Sequence, residues 1–146
     1  MISVCRLEKQ HIEAVAEIER ECFSQPWSQS SLELFVGGGG VGFVALVDGE
    51  VAAYGGMMCV LDEGQITNIA TRKEYRRKGL GAAIMSAIEE FCRESGISDV
   101  YLEVRLSNVA AQSLYLSCGY EKIGERRAFY SAPVEDAVLM RLTVNK

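Results

Sequence analysis

Arg76-Arg77-Lys78-Gly79-Leu80-Gly81-Ala82 stands between a strand-like run, residues 65–70, and the clearest helical pattern in the chain, residues 79–95. In that pattern Leu80, Ile84, Ala87, Ile88 and Phe91 recur at helical spacing, and Gly96 stops the helix. The junction reads as an anion site. Gly79 and Gly81 let the backbone turn tightly and come close to a ligand. The first N–H groups of the helix have no internal partner, and the helix dipole adds partial positive charge. Arg76, Arg77 and Lys78 add full charges, a combination that fits a pyrophosphate.

Other readings of this stretch are weaker. A P-loop needs Gly-Lys-Ser/Thr, which is absent. A Rossmann site is favoured by Glu103, 22 residues after Gly81, but Ile84 stands where its third glycine belongs. Too little chain follows Glu103 to complete that fold. The bland reading is a basic helix start whose glycines serve only a turn. Five basic residues within residues 72–78 weigh against it.

Working outward, residues 3–6 read as a strand and residues 11–22 as a helix with Ile12, Val15, Ala16 and Ile18 on its apolar face. Pro26-Trp27-Ser28 breaks the chain. Ser28 or Ser30 then caps a short helix ending near Phe35, and Ser30 with Glu33 has capping-box spacing. Residues 41–47 and 51–60 are strands joined at Asp48-Gly49, a two-residue hairpin signal. Gly37-Gly38-Gly39-Gly40 reads as a loop, not a phosphate cradle, because a strand follows it. Residues 99–105 form a strand, 108–118 a helix, and 120–125 and 135–142 the closing strands. The expectation is one α/β domain of the α+β type over residues 1–146. Its mixed central sheet has about seven strands, with helices on both faces.

The composition is globular, with 49% apolar and 24% charged residues. No run approaches the length of a membrane span, and the N-terminus lacks a signal-peptide layout, so a cytoplasmic protein with no membrane contact is expected. Five scattered cysteines and a single histidine, His11, point to buried reduced thiols and no metal site. The net charge of −5 argues against a nucleic-acid partner. Residues 72–78 alone carry +4, which leaves −9 for the remainder. A basic knot on an acidic chain suits a compact anion.

The Arg-x-x-Gly-x-Gly-Ala stretch resembles the acetyl-CoA pyrophosphate loop of the GCN5-related N-acetyltransferase (GNAT) superfamily, and the element order is similar along essentially the whole chain. A second block sharpens the likeness: Leu102-Glu103-Val104-Arg105-Leu106-Ser107-Asn108-Val109-Ala110-Ala111, then Leu114-Tyr115 and Gly119-Tyr120. With Phe23-x-x-Pro26-Trp27-Ser28 and Glu135-Asp136-Ala137, it resembles the ribosomal-protein-alanine N-acetyltransferase family. That family usually has Arg-Arg-Asn-Tyr-Tyr before the last strand, where this chain has Arg126-Arg127-Ala128-Phe129-Tyr130.

The resemblance implies acetyl transfer from acetyl-CoA, without a metal, to the N-terminal α-amine of a protein. The implied acceptor is the alanine of a ribosomal protein, and the enzyme is expected to be a monomer. Glu103 is the candidate general base. It sits at the carboxyl end of its strand with Tyr101 and Arg105 on the same face, and a solvated carboxylate or an ion pair with Arg105 is the alternative. Tyr115 is the candidate acid for the departing thiolate, the alternative being a core tyrosine. Gly79, Leu80, Gly81 and Ala82 with Arg76, Arg77 and Lys78 would hold the pyrophosphate. Backbone groups of Ile69, Ala70 and Thr71 would pair with the pantetheine arm and supply the oxyanion donor. Asn108 matches a cofactor-contacting asparagine; its alternative is a helix cap, a role open to Ser107. Acetylation of a small amine or a lysine side chain, and acetyl-CoA binding without turnover, are the competing functions.

Overall fold

The computed structural model describes residues 1–144; Asn145 and Lys146, the end of the expected 1–146 domain, lie outside the described residues. Strand β1 (Ile2–Arg6) leads through a 3-10 turn (Lys9–His11) into α1 (Ile12–Cys22). Two short helices follow, α2 (Gln29–Leu32) and α3 (Leu34–Gly37), then β2 (Gly40–Val47), β3 (Glu50–Val60) and β4 (Glu63–Thr71). A 3-10 turn (Lys73–Tyr75) precedes α4 (Leu80–Ser95), and β5 (Asp99–Arg105), α5 (Val109–Ser117), β6 (Glu121–Tyr130) and β7 (Glu135–Thr143) complete the chain.

The strands form one seven-stranded sheet in the order β1-β2-β3-β4-β5-β7-β6. Neighbours are antiparallel except β4 and β5, which run parallel because α4 crosses over between them. Helices cover both faces. One layer packs Ile12, Val15 and Ile18 of α1 with Leu32 and Phe35 against Val44, Tyr54 and Ala70. The other packs Leu80, Ile84, Met85, Ile88 and Cys92 of α4 against Phe43, Ala53, Val100 and Leu102. Full burial of each large aliphatic side chain contributes roughly 1.5–3 kcal/mol. The layers meet the sheet closely at Gly55 and Gly56. A Cβ on Gly55 would lie 2.6 Å from Ile84, and one on Gly56 would lie 2.4 Å from the Phe35 ring.

Local chemistry explains most boundaries. Asp48 and Gly49 both take positive φ, 50° and 86°, the geometry of a tight hairpin whose twist matches its strands. Gly79 and Gly96 bracket α4 in left-handed conformations. Two expectations are corrected. Of the two serines offered as caps, Ser28 takes the role, its Oγ accepting from the Ser31 N–H, while the single helix expected is corrected to two one-turn helices. β6 runs five residues further than expected, to Tyr130, because register shifts carry it past Arg126.

Two features prepare the site. In β4 the partners of Met57 and Gly56 are Ile66 and Asn68, so Thr67 is an unpaired bulge that turns the strand end. The parallel register of β4 with β5 runs from Glu63↔Asp99 to Ile66↔Leu102 and stops. Beyond that point the strands part, opening a cleft between residues 67–71 and 103–105. On the α1 side, Glu19 is 1% exposed. Its carboxylate accepts from the Trp27 N–H at 2.8 Å, from Asn68 Nδ2 at 3.0 Å and from the Tyr54 hydroxyl. Three donors satisfy a carboxyl group that would be costly to bury unpartnered.

Candidate active site

The gap between β4 and β5 opens into two adjoining cavities. The larger, about 520 Å³, lies against the N-terminus of α4. Ile69, Ala70 and Thr71 border it on one side, Arg76, Arg77, Gly79, Leu80, Gly81 and Ala82 on another. Ala111, Leu114 and Tyr115 of α5 close it. The second, about 280 Å³, lies on the α1 face of the sheet and is bordered by Glu19, Trp27, Asn68, Glu103, Arg105 and Tyr130. Cys22, Phe23, Ile69, Asn108 and Tyr115 border both, so this is where the two spaces meet.

Their electrostatics differ in sign. The larger cavity is bordered by Arg76 and Arg77 and, among the described residues, by no carboxylate; the smaller has Glu19 and Glu103 with one cation, Arg105, which is paired to Glu135. The first suits a polyanion and the second an ammonium or amine. At the α4 mouth, Gly79 (φ 78°) and Arg77 (φ 66°) flank Lys78 in left-handed conformations. This left-handed geometry turns the loop so that the first amides of α4 face the cavity. The Gly79 carbonyl accepts from the Ala83 N–H, and the amides of Leu80, Gly81 and Ala82 precede the helical ladder. A Cβ on Gly81 would meet only the Leu114 side chain, at 3.0 Å.

The sequence candidates are brought together unevenly. Arg76 turns its guanidinium back onto the chain, Nε donating to the Thr71 carbonyl at 3.2 Å and Nη2 reaching Cys22 Sγ at 3.6 Å. It braces the loop against β4 and α1. Lys78 borders neither cavity. Asn108 is the cap of α5, Oδ1 accepting from the Ala111 N–H at 3.1 Å, so the cap role falls to it and not to Ser107. It also borders both cavities.

Glu103 faces the α1 side, opposite the core positions Val100, Leu102 and Val104. Its Oε1 accepts from Gln65 Nε2 at 3.0 Å. The ion pair with Arg105 does not form, because Arg105 pairs with Glu135 at 3.3 Å. Tyr115 is 7% exposed. Burial first, then the neighbouring Tyr130 and Cys118, pushes its phenol up to about 12, so it holds its proton throughout the neutral range. Tyr130 is likewise pushed up to about 12, by burial and then by the Glu103 charge, with Arg105 opposing. Burial also raises the Cys22 thiol, which the Arg76 guanidinium partly offsets. Among the described residues no group of three histidine, cysteine or acidic side chains is placed to hold a metal ion, and no helix is long and apolar enough to cross a membrane.

The sequence pattern gives no role to Gln65, Asn68, Glu19 or Tyr130, and offers Arg105 only as an ion-pair partner of Glu103. Alternation along β4 would have put Gln65 on the Glu103 face. It would have put Asn68 on the opposite one, because a one-residue bulge cannot be read from polarity.

Comparison with known proteins agrees with this architecture. Residues 12–120 match the acetyltransferase (GNAT) family. A Bacillus subtilis protein is 37% identical over 146 residues, covering 99% of this chain and 97% of its own length. The [ribosomal protein bS18]-alanine N-acetyltransferase of Escherichia coli K12 is 33% identical over 147 residues and 99% of each chain. The crystal structure of the ribosomal-protein-S18-alanine N-acetyltransferase from Escherichia coli superposes with a TM-score of 0.92 at 32% identity, covering 100% of this chain and 96% of that one.

Proposed function

The chain belongs to the acetyltransferase (GNAT) family, a family of acyltransferases that use acetyl-CoA, and from that premise we propose that it acetylates the α-amine of a protein N-terminus, the alanine of ribosomal protein bS18. The observation that carries this reading is the meeting of an anion-suited and an amine-suited cavity at Tyr115 and Ile69, with Glu103 on the amine side. The full-length likeness to an enzyme named for that acceptor supplies the substrate.

The division of labour follows from the chemistry. The amides at the α4 mouth and Arg77 bind the pyrophosphate of acetyl-CoA. The part of β4 that has left its partner, Ile69 to Thr71, offers backbone groups to the pantetheine amides, and one N–H there stabilises the oxyanion. An α-amine has a pKa of about 7.7–8.0, so deprotonating it near neutrality costs only about 1 kcal/mol. A carboxylate held by one amide donor is base enough, and Glu103 takes that proton. The nitrogen–carbon bond forms, the carbon–sulfur bond breaks, and the Tyr115 hydroxyl gives its proton to the leaving thiolate; the phenolate regains one from solvent as Glu103 releases the proton it took.

The test is acetyl transfer from labelled acetyl-CoA to a panel of peptides and small amines, read by mass spectrometry. One acetyl on the α-amine of an alanine-initiated peptide is the expected product. Modification of lysine side chains or small amines alone overturns the acceptor assignment. Tight acetyl-CoA binding with no transfer to any amine overturns the enzymatic mechanism.

A further inference from the structure

Arg105 lies two residues after Glu103 on the same face of β5 and borders the amine-side cavity, but the acetyl-transfer steps do not use it. Its guanidinium reaches four groups of one hairpin. Nη1 donates to the Pro133 carbonyl at 3.0 Å and to Glu135 Oε1 at 3.3 Å. Nη2 donates to the Ser131 carbonyl at 3.3 Å. The plane lies over the Tyr130 ring, 4.4 Å from its centroid. Glu135 in turn accepts from the Ser107 N–H at 2.5 Å, which ties the grip to the turn leading into α5. From the other side, the loop after α1 touches the same hairpin: Ser24 Oγ donates to the Ala132 carbonyl at 2.6 Å, and Ser131 Oγ to Gln25 Oε1 at 3.2 Å. The 131–133 turn is therefore bonded to three residues that border the amine-side cavity, Ser24, Gln25 and Arg105, and it follows directly on a fourth, Tyr130.

We propose that Arg105 is the positioning residue of the acceptor site, fixing Tyr130 and the 131–133 turn behind it so that the acceptor's first residue is held against Glu103. The assignment rests on the acetylation reading above and names what enforces the acceptor's position within it. The chemistry requires arginine. Two carbonyls, a carboxylate and a ring face are met at once by a planar fork that stacks, whereas a lysine ammonium is a point donor that does not. Acetyl-CoA binding does not depend on it, because Arg105 borders only the smaller cavity.

The experiment compares the full chain with Arg105→Ala and Arg105→Lys on an alanine-initiated peptide. Arg105→Ala is expected to raise the peptide KM by about tenfold or more, consistent with losing hydrogen bonds to a charged group, with the acetyl-CoA KM unchanged. Arg105→Lys is expected to recover only a small part. Millimolar guanidinium should restore peptide affinity to Arg105→Ala, an effect that general loosening of the fold would not give. Hydrogen exchange should quicken in residues 128–135 of both variants and not in α4. Should Arg105→Ala fail to fold, Arg105→Lys carries the same KM and exchange readouts.

Equal increases in both KM values, or unchanged exchange across the hairpin, overturn the proposal while leaving acetyl transfer intact. A wild-type chain inert on every peptide α-amine overturns the acetylation reading and this assignment with it.

Discussion

Gln65 Nε2 donates to Glu103 Oε1 at 3.0 Å, joining β4 to β5 one residue past the end of their shared register on the β5 side. The bond fixes one carboxylate oxygen and leaves the other for the acceptor. Glu103→Gln is therefore expected to lower kcat by about 10²–10³-fold, the range of a lost general base, with the acetyl-CoA KM unchanged. Gln65→Leu removes orientation alone and should lower kcat by less than Glu103→Gln. Steady-state kinetics in both substrates decides this. A Glu103→Gln variant that loses acetyl-CoA affinity as strongly as turnover would contradict the assignment.

Arg77 and Lys78 are neighbours of equal charge, but only Arg77 borders the larger cavity. Arg77→Ala should raise the acetyl-CoA KM by about tenfold, the scale of a lost charge-assisted hydrogen bond, at unchanged kcat. Lys78→Ala should change it little. Equal effects would show that charge in the neighbourhood, and not contact, draws the pyrophosphate.

Tyr115 supplies a pH prediction. Its phenol is raised from 10.0 to about 12, so above pH 10 the unfolded chain gives up a proton that the folded chain keeps. Stability from this group is complete below pH 10 and is lost as pH rises toward 12, by up to about 1.4 kcal/mol per pH unit. Urea unfolding at pH 8 to 11 should show the decline, and Tyr115→Phe should make it shallower. A Tyr115→Phe variant with an unaltered slope would refute it. The same substitution should lower kcat without affecting acetyl-CoA binding.

Ala128 takes φ 50°, in the left-handed region, while its N–H is held by Asp136 Oδ1 at 2.8 Å. The family pattern has asparagine here, a residue that tolerates this conformation far better than alanine. Ala128→Asn should raise stability by about 0.5–1 kcal/mol, seen as a higher urea midpoint at constant m. A lower midpoint would mean that the side chain meets an obstacle.

The glycine-rich, basic start of α4 was legible because the pattern is local. Glycines at a strand-to-helix junction with basic neighbours need no tertiary information, and α4 begins at Leu80 as its periodicity requires. Glu103 and Tyr115 were singled out by motif likeness, and both border the smaller cavity. Three things were not legible. The Thr67 bulge reverses which face Asn68 occupies. The buried Glu19 depends on donors from Trp27, Tyr54 and Asn68, which are distant in sequence. The Arg105 grip depends on a hairpin 26 to 30 residues away. Local spacing carries no trace of such contacts.

The early end of the β4–β5 register has a mechanical consequence. Residues preceding α4 build one half of the sheet and residues following it the other; their backbones pair from Glu63↔Asp99 to Ile66↔Leu102, and beyond that side-chain bonds such as Gln65 to Glu103 and Ser24 to the Ala132 carbonyl bridge them. Both cavities therefore lie where backbone pairing has ended, and they share the walls formed by Ile69 and Tyr115. A rotation about the seam would change the width of the two together.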